Sequence, residues 1–246
     1  EICACLVGSE MCIRDSLQGV IEGREARAMG YTNIYAPILD VARDQRWGRW
    51  EGSIGEDPYL VARIGVAMSK GIQSQRVVST PKHYVGYGDC KAARQWDART
   101  DPHITPSEMY YIHEYPFRKV FQEAGALGVM CAYNDYDGVP MAGNYHYLTE
   151  VLRKEMGFKG YVVSDSYAIG RLNAVHKVTP NFKESGRRAI EAGLNVRTEF
   201  NDPTEYITNI RELVKEGRLS MKRVDELVRD VLYVKFWLGL FDNPYT

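Results

Sequence analysis

The sequence predicts an α/β fold of parallel strands alternating with helices, an irregular or incomplete TIM-like (β/α) barrel. Three observations carry that prediction. Short apolar, β-branched runs such as Tyr161, Val162 and Val163 show no period-2 alternation, as expected of strands buried on both faces. Amphipathic stretches long enough for helices separate these runs at βα spacing. The runs also end on polar residues: Asp40, then Lys82 and His83, then Tyr133 and Asn134, then Asp165. Five strands are legible, fewer than the eight that close such a barrel, hence irregular or incomplete.

Taken in order, residues 1–16 (EICACLVGSEMCIRDS) fit neither a basic-then-apolar signal peptide nor a patterned helix. VGSEMCIRDS resembles translated sequencing-adapter read-through, so residues 1–16 are expected to be a non-native or irregular segment and residues 17–246 the domain proper. Val20, Ile21, Ala26 and Met29 mark a helix that stops at Gly30. Residues 33–40 (NIYAPILD) read as a strand broken by Pro37, and 41–56 as a long loop with three arginines and two tryptophans.

Asp57-Pro58 is an N-cap with proline at the first helical position, and Leu60, Val61, Ile64, Met68 and Ile72 give that helix an apolar face. Residues 76–81 form a strand that delivers Lys82 and His83. Residues 84–103 are polar and glycine-punctuated, too long for a simple connector, and read as a site-forming loop. Thr105-Pro106-Ser107-Glu108 is a capping box, with Met109, Ile112, Val120, Phe121 and Ala124 on the buried stripe behind it. A strand at 127–133, a helix at 149–156 stopped by Gly157, the strand at 161–163, a helix near 183–192 and a strand at 194–197 follow. Asp202-Pro203 caps the first of two closing amphipathic helices.

Composition limits what such a fold can do. At 246 residues, with 45% hydrophobic and 26% charged residues, the chain suits one large globular domain. Lys and Arg (31) balance Asp and Glu (32), which leaves no electrostatic footprint for nucleic acid or an anionic membrane. No apolar run reaches the roughly 20 residues of a membrane span. The partner is therefore expected to be a small or neutral ligand, and 17 tyrosines with 4 tryptophans suit one that has both hydroxyls and CH faces. The five cysteines outline no disulfide framework, and no Cys/His spacing suggests a metal.

Polar groups from different strands gathered at one end are the expected layout of a barrel active site. Each has a plainer reading as well: Asp165 as a helix cap, Lys82 in a structural ion pair, His83 as a satisfied core residue. Two chemistries compete for the set. A desolvated Lys82 could form a Schiff base with a carbonyl, with Tyr133 relaying the proton. Alternatively, Asp165 attacks the anomeric carbon of a sugar whose hydroxyls are held by Arg49, Lys82 and His83.

Five ordered motifs bear on that choice: NIYAPILDVARDQRWGRWEGSIGEDPYLVARIGVAMSKGIQ, STPKHYVGYG, GVMCAYNDYDGVP, LTEVLRKEMGFKGYVVSDS and VKFWLGLFDNPY. From about Leu17 onward they resemble the N-terminal catalytic barrel of glycoside hydrolase family 3, nearest its bacterial β-glucosidases and β-xylosidases. The resemblance implies a retaining β-glycosidase acting on a β-linked oligosaccharide or glycoside, with no metal or organic cofactor and a periplasmic or secreted location. It makes Asp165 the nucleophile and Arg49, Lys82, His83, Met130, Tyr133 and Ser166 substrate-binding. Cations from Arg49, Lys82 and His83 would favour an ionised Asp165.

Three departures qualify the likeness. Ser166 stands where the family often has an aromatic, so a wall of the sugar site would come from Tyr167, Trp47, Trp50 or Trp96. An upstream acidic sugar ligand has no counterpart here. The family's acid/base usually belongs to a following α/β sandwich domain, expected beyond LGLFDNPYT. A branch that uses an Asp-His pair instead is disfavoured, because Asp89 and Asp97 have no histidine beside them before His103. A sugar-binding barrel without turnover is the second expectation.

Overall fold

The computed structural model describes residues 2–90 and 101–244. Its strands are β1 (Asn33–Ile34), β2 (Val78–Ser79), β3 (Gly128–Met130), β4 (Asp135–Tyr136), β5 (Val139–Pro140) and β6 (Tyr161–Val163). β1 pairs with β2 in parallel, and Ile38 extends that pairing by bridging Lys82. Tyr84 bridges Cys131, β3 pairs with β6, and Val163 bridges Val196, all in parallel. The result is a chain-ordered parallel array from residue 33 to residue 196. Among the described residues it does not close into a barrel, so the structure bears out the mixed α/β layout without ring closure.

Crossover helices join the rungs, as parallel neighbours require. α1 (Ile2–Ala28) precedes β1, and α2 (Pro58–Ser74) connects β1 to β2. α2 starts where the sequence predicts, Asp57 accepting the Tyr59 N–H at 2.8 Å. The two helices meet backbone to backbone: a Cβ on Gly19 would lie 2.3 Å from the Met68 carbonyl oxygen, and one on Gly71 2.4 Å from that of Ser16. A helical run at residues 106–124 (α3) opens with both limbs of the Thr105/Glu108 capping box formed. α4 (His146–Glu155), α5 (Ala168–Ala174), α6 (Phe182–Ala192), α7 (Thr204–Lys215) and α8 (Met221–Leu238) complete the chain.

Strand residues alternate between two apolar clusters, as the pleat dictates. Val129 and Val162 join the larger, with Leu39, Tyr84, Phe117, Leu148 and Leu172. Met130 and Val163 join the smaller, with Val78, Tyr161 and Val234 of α8. Burying each such side chain contributes roughly 1.5–3 kcal/mol, enough for a few layers to hold the strand ends in register.

Sequence and structure differ in several places. α4 begins three residues before the predicted start, its entry marked by Asn144 Oδ1, which accepts the Tyr147 N–H at 3.2 Å. α5 and the β4–β5 hairpin are absent from the sequence reading: α5 spans only two turns, and the Asp137-Gly138 hairpin turn lies between strands of two residues each. Backbone from Ile2 is helical where an irregular segment is expected. Periodicity is blind to a helical stretch lacking a sustained apolar stripe. Trp96 and Asp97 lie outside the described residues.

Candidate functional site

The hydrogen-bond ladder carries the strand ends to one place. Leu39 N–H donates to the Lys82 carbonyl at 2.6 Å and Lys82 N–H to that of Pro37 at 3.0 Å, which sets Asp40 beside His83. Tyr84 N–H donates to the Met130 carbonyl and Ala132 N–H to that of Tyr84, both at 2.7 Å, Cys131 N–H donates to the Val163 carbonyl at 2.9 Å, and Ser164 N–H to that of Val196 at 2.8 Å. Tyr133 and Asp165 thereby emerge at the same end of the array.

His83 is the hub of the resulting cluster. Its Nδ1 lies 2.7 Å from Asp40 Oδ2, with both side chains only 1% exposed, and its backbone N–H reaches both Asp40 oxygens at 3.3 Å. On the far side of the ring Arg49 Nη1 donates to Nε2 at 2.8 Å, and Asp165 Oδ2 stands 3.5 Å from the same nitrogen. Arginine is always a donor, so the 2.8 Å contact with Arg49 fits an Nε2 that accepts. In that form Arg49 and Lys82 supply the positive charge around Asp165 and His83 supplies a lone pair.

Asp165 is 7% exposed. Its Oδ1 accepts the N–H of Ser166 at 2.7 Å, whereas Oδ2 is buried and has no hydrogen-bond partner among the described residues. Such an orphaned carboxylate oxygen is costly unless something else is meant to meet it. Burial, and then the Arg49 guanidinium, push the Lys82 ammonium below the usual lysine range, while Asp165 and Asp40 pull it back. All four charged groups therefore share one field. Burial raises the Tyr133 phenol above its ordinary value, the charge of neighbouring Asp165 adding to the effect. Its hydroxyl donates to the Ser166 carbonyl at 2.8 Å, which ties down the turn that carries the carboxylate.

Of the sequence-predicted residues, Arg49, Lys82, His83, Tyr133, Asp165 and Ser166 are brought together, Ser166 through its backbone. Met130 is buried in the smaller apolar cluster and pairs with Val163, two residues before Asp165 on the same strand face. Trp47 packs edge-on against Tyr87, their ring centroids 5.5 Å apart, and Tyr87 edge-on against His83 at 5.1 Å. Trp50 packs against the larger core. Tyr167 turns its ring to Phe200 at 5.7 Å.

Sequence reading missed two contributors, Tyr87 and Arg171, and placed Asp40 in the strand-end set without pairing it to His83. Tyr87 lies in the glycine-punctuated YVGYG run directly after that pair. Arg171, whose guanidinium lies 4.7 Å from the Tyr133 ring centroid, comes from the unrecognised α5.

The chain as a whole is similar to known proteins. The profile of the glycosyl hydrolase family 3 N terminal domain matches residues 15–234. A β-xylosidase of Formosa agariphila is 37% identical over 232 residues, covering 89% of this chain and 32% of its own. The periplasmic β-glucosidase of Salmonella typhimurium is 32% identical over 235 residues, 93% of this chain and 30% of its own. Among solved structures, the β-glucosidase of Listeria innocua superposes with a TM-score of 0.86 at 33% identity, over 94% of this chain and 32% of its own.

Proposed function

The chain belongs to glycosyl hydrolase family 3, and from that membership we propose that it carries the nucleophile of a retaining β-glycosidase of the β-glucosidase or β-xylosidase class. The parallel array would then be part of the wall of a (β/α) barrel. The chain spans about a third of the length of the relatives it matches, 32% of the Formosa enzyme, so the activity of the whole protein is part of the proposal.

The observation that carries this reading is the buried Oδ2 of Asp165, which has no hydrogen-bond partner among the described residues, beside two cationic side chains. In the proposed step Oδ2 attacks the anomeric carbon and the bond to the leaving oxygen breaks. The bonding pair leaves with that oxygen, which is protonated by an acid, and water then hydrolyses the glycosyl ester. Arg49 and Lys82 donate to ring hydroxyls, Tyr133 and the Ser166 backbone hold the nucleophile, and Met130 contributes to the floor. Two carboxylates set against two cations suit a neutral sugar. Solved complexes of the Listeria enzyme with glucose and with laminaribiose support a β-glycoside as the ligand class. Asp40, the other carboxylate of the cluster, is committed to His83, so we assign the acid/base to a carboxyl outside this cluster.

A second reading rests on one observation, the lowered Lys82 ammonium, which would suit Schiff-base chemistry. An activated 2-deoxy-2-fluoro glycoside separates the two. Its covalent adduct should map by peptide mass to the segment holding Asp165. A borohydride-reduced carbonyl adduct on Lys82, with none on Asp165, would overturn the glycosidase reading.

A further inference from the structure

Asp40 is buried, 3% exposed, and holds His83 at two points, the ring Nδ1 and the backbone N–H. Only one form of the ring satisfies both of its contacts shorter than 3 Å. With a proton on Nδ1 and none on Nε2, the ring donates to Asp40 at 2.7 Å and accepts from Arg49 at 2.8 Å. The opposite tautomer would set a lone pair against the Asp40 carboxylate and two N–H groups against each other at Arg49. The imidazolium would suit Asp40 but would still oppose Arg49 with a donor, and would offer that proton to Asp165 Oδ2, 3.5 Å away. The other groups facing the ring are the edge of Tyr87 and, in the same field, Lys82.

We propose that Asp40 is a positioning residue: by fixing the His83 tautomer it keeps Nε2 as an acceptor, and that acceptor holds the Arg49 guanidinium beside Asp165 and over the Tyr87 ring. The guanidinium carbon lies 6.0 Å from that ring's centroid. Arg49 comes from an irregular loop, where no regular element sets its side chain, so an acceptor at a fixed point is what orders it. Asp40 touches no ligand in this scheme and acts two contacts away. The part of the proposal that concerns sugar affinity rests on the glycosidase reading; the tautomer does not.

The test has two arms on the full chain. In nitrogen-15 long-range correlation spectra of histidine-labelled protein, with the His83 signals assigned by their loss in His83→Gln, wild type should show Nδ1 protonated and Nε2 bare. Asp40→Asn retains an acceptor oxygen and should retain that pattern. Asp40→Leu should lose it. In the second arm, glucose and xylose affinities are measured by titration. Asp40→Leu should weaken binding about tenfold, the equivalent of one lost hydrogen bond. In an Arg49→Ala background the same change should cost nothing further, whereas a purely structural role would add its full effect. A wild-type His83 protonated on Nε2, or additive losses in the double variant, overturns the proposal. If neither sugar binds wild type, the glycosidase reading falls and the spectra alone decide the role of Asp40.

Discussion

Asp165 uses one carboxylate oxygen to accept the N–H of the next residue, Ser166, at 2.7 Å, and leaves the other buried without a hydrogen-bond partner among the described residues. The turn is held from beneath as well, because the Ser166 carbonyl accepts the Tyr133 hydroxyl at 2.8 Å. One oxygen is fixed by the fold and the other is presented. That division suits a group that must be aimed before it reacts.

Asp165→Asn retains an oxygen for the Ser166 N–H and should fold as wild type does. Under the proposed mechanism glycoside hydrolysis should fall by on the order of 10⁴-fold, since the attacking oxygen is lost, while sugar binding persists. Steady-state rates on aryl glycosides together with titration calorimetry check both halves. Full activity in this variant would remove Asp165 from the role.

An acid/base outside the cluster has a kinetic signature. A dinitrophenyl glycoside, whose leaving group needs little protonation, should be cleaved by the chain, while a β-linked disaccharide should be left intact. Equal rates on the two would place an acid within the chain. No burst of aryl alcohol from the activated substrate would favour the reading of sugar binding without turnover.

Tyr133→Phe deletes the donor to the Ser166 carbonyl and keeps the ring. It should cost about 1 kcal/mol in urea unfolding. If the bond aims Asp165, kcat should drop by more than KM rises. A stability loss with unchanged kcat would confine Tyr133 to packing.

His113 and Glu114 are adjacent, buried and opposed in their response to pH. Burial holds the His113 imidazole near pKa 4, below its ordinary 6.5, with Asp40 opposing the shift. The unfolded chain therefore takes up a proton that the folded one refuses. The stability tied to His113 is complete above pH 6.5 and is lost as pH falls through 4, by about 3 kcal/mol. Burial raises Glu114 to about 6 from 4.5, its 2.8 Å ion pair with Arg118 offsetting part of the shift. Its contribution is complete below pH 4.5 and is lost as pH rises through 6, by about 2 kcal/mol. The two effects should largely cancel between pH 4.5 and 6. Glu114→Gln should expose the acid-side loss and His113→Phe the loss on the rising side. Urea midpoints across pH 4 to 7.5 read this directly, and curves parallel to wild type for both variants would refute it.

Much of the fold was legible because its signals are local. The Thr105/Glu108 box, the Asp57-Pro58 cap and the buried Tyr161–Val163 strand are each written within a few neighbouring residues, and the structure builds them as read. α5 and the β4–β5 hairpin escaped because two turns, or two residues a side, are too short for a period to register. Its motif makes Met130 a pocket residue; its membership of the smaller apolar cluster follows from strand parity and register, which a motif does not display.

The sequence by itself determined that parallel strands alternate with helices and that Asp40, Lys82, His83, Tyr133 and Asp165 stand at strand ends, since caps, apolar runs and breaks depend only on near neighbours. The tertiary structure alone decided which of those groups meet. His83 bonds Arg49, 34 positions away, and Asp40, 43 positions away. Strand register and the return of one loop set those distances, and through them bring His83 between a carboxylate and a guanidinium.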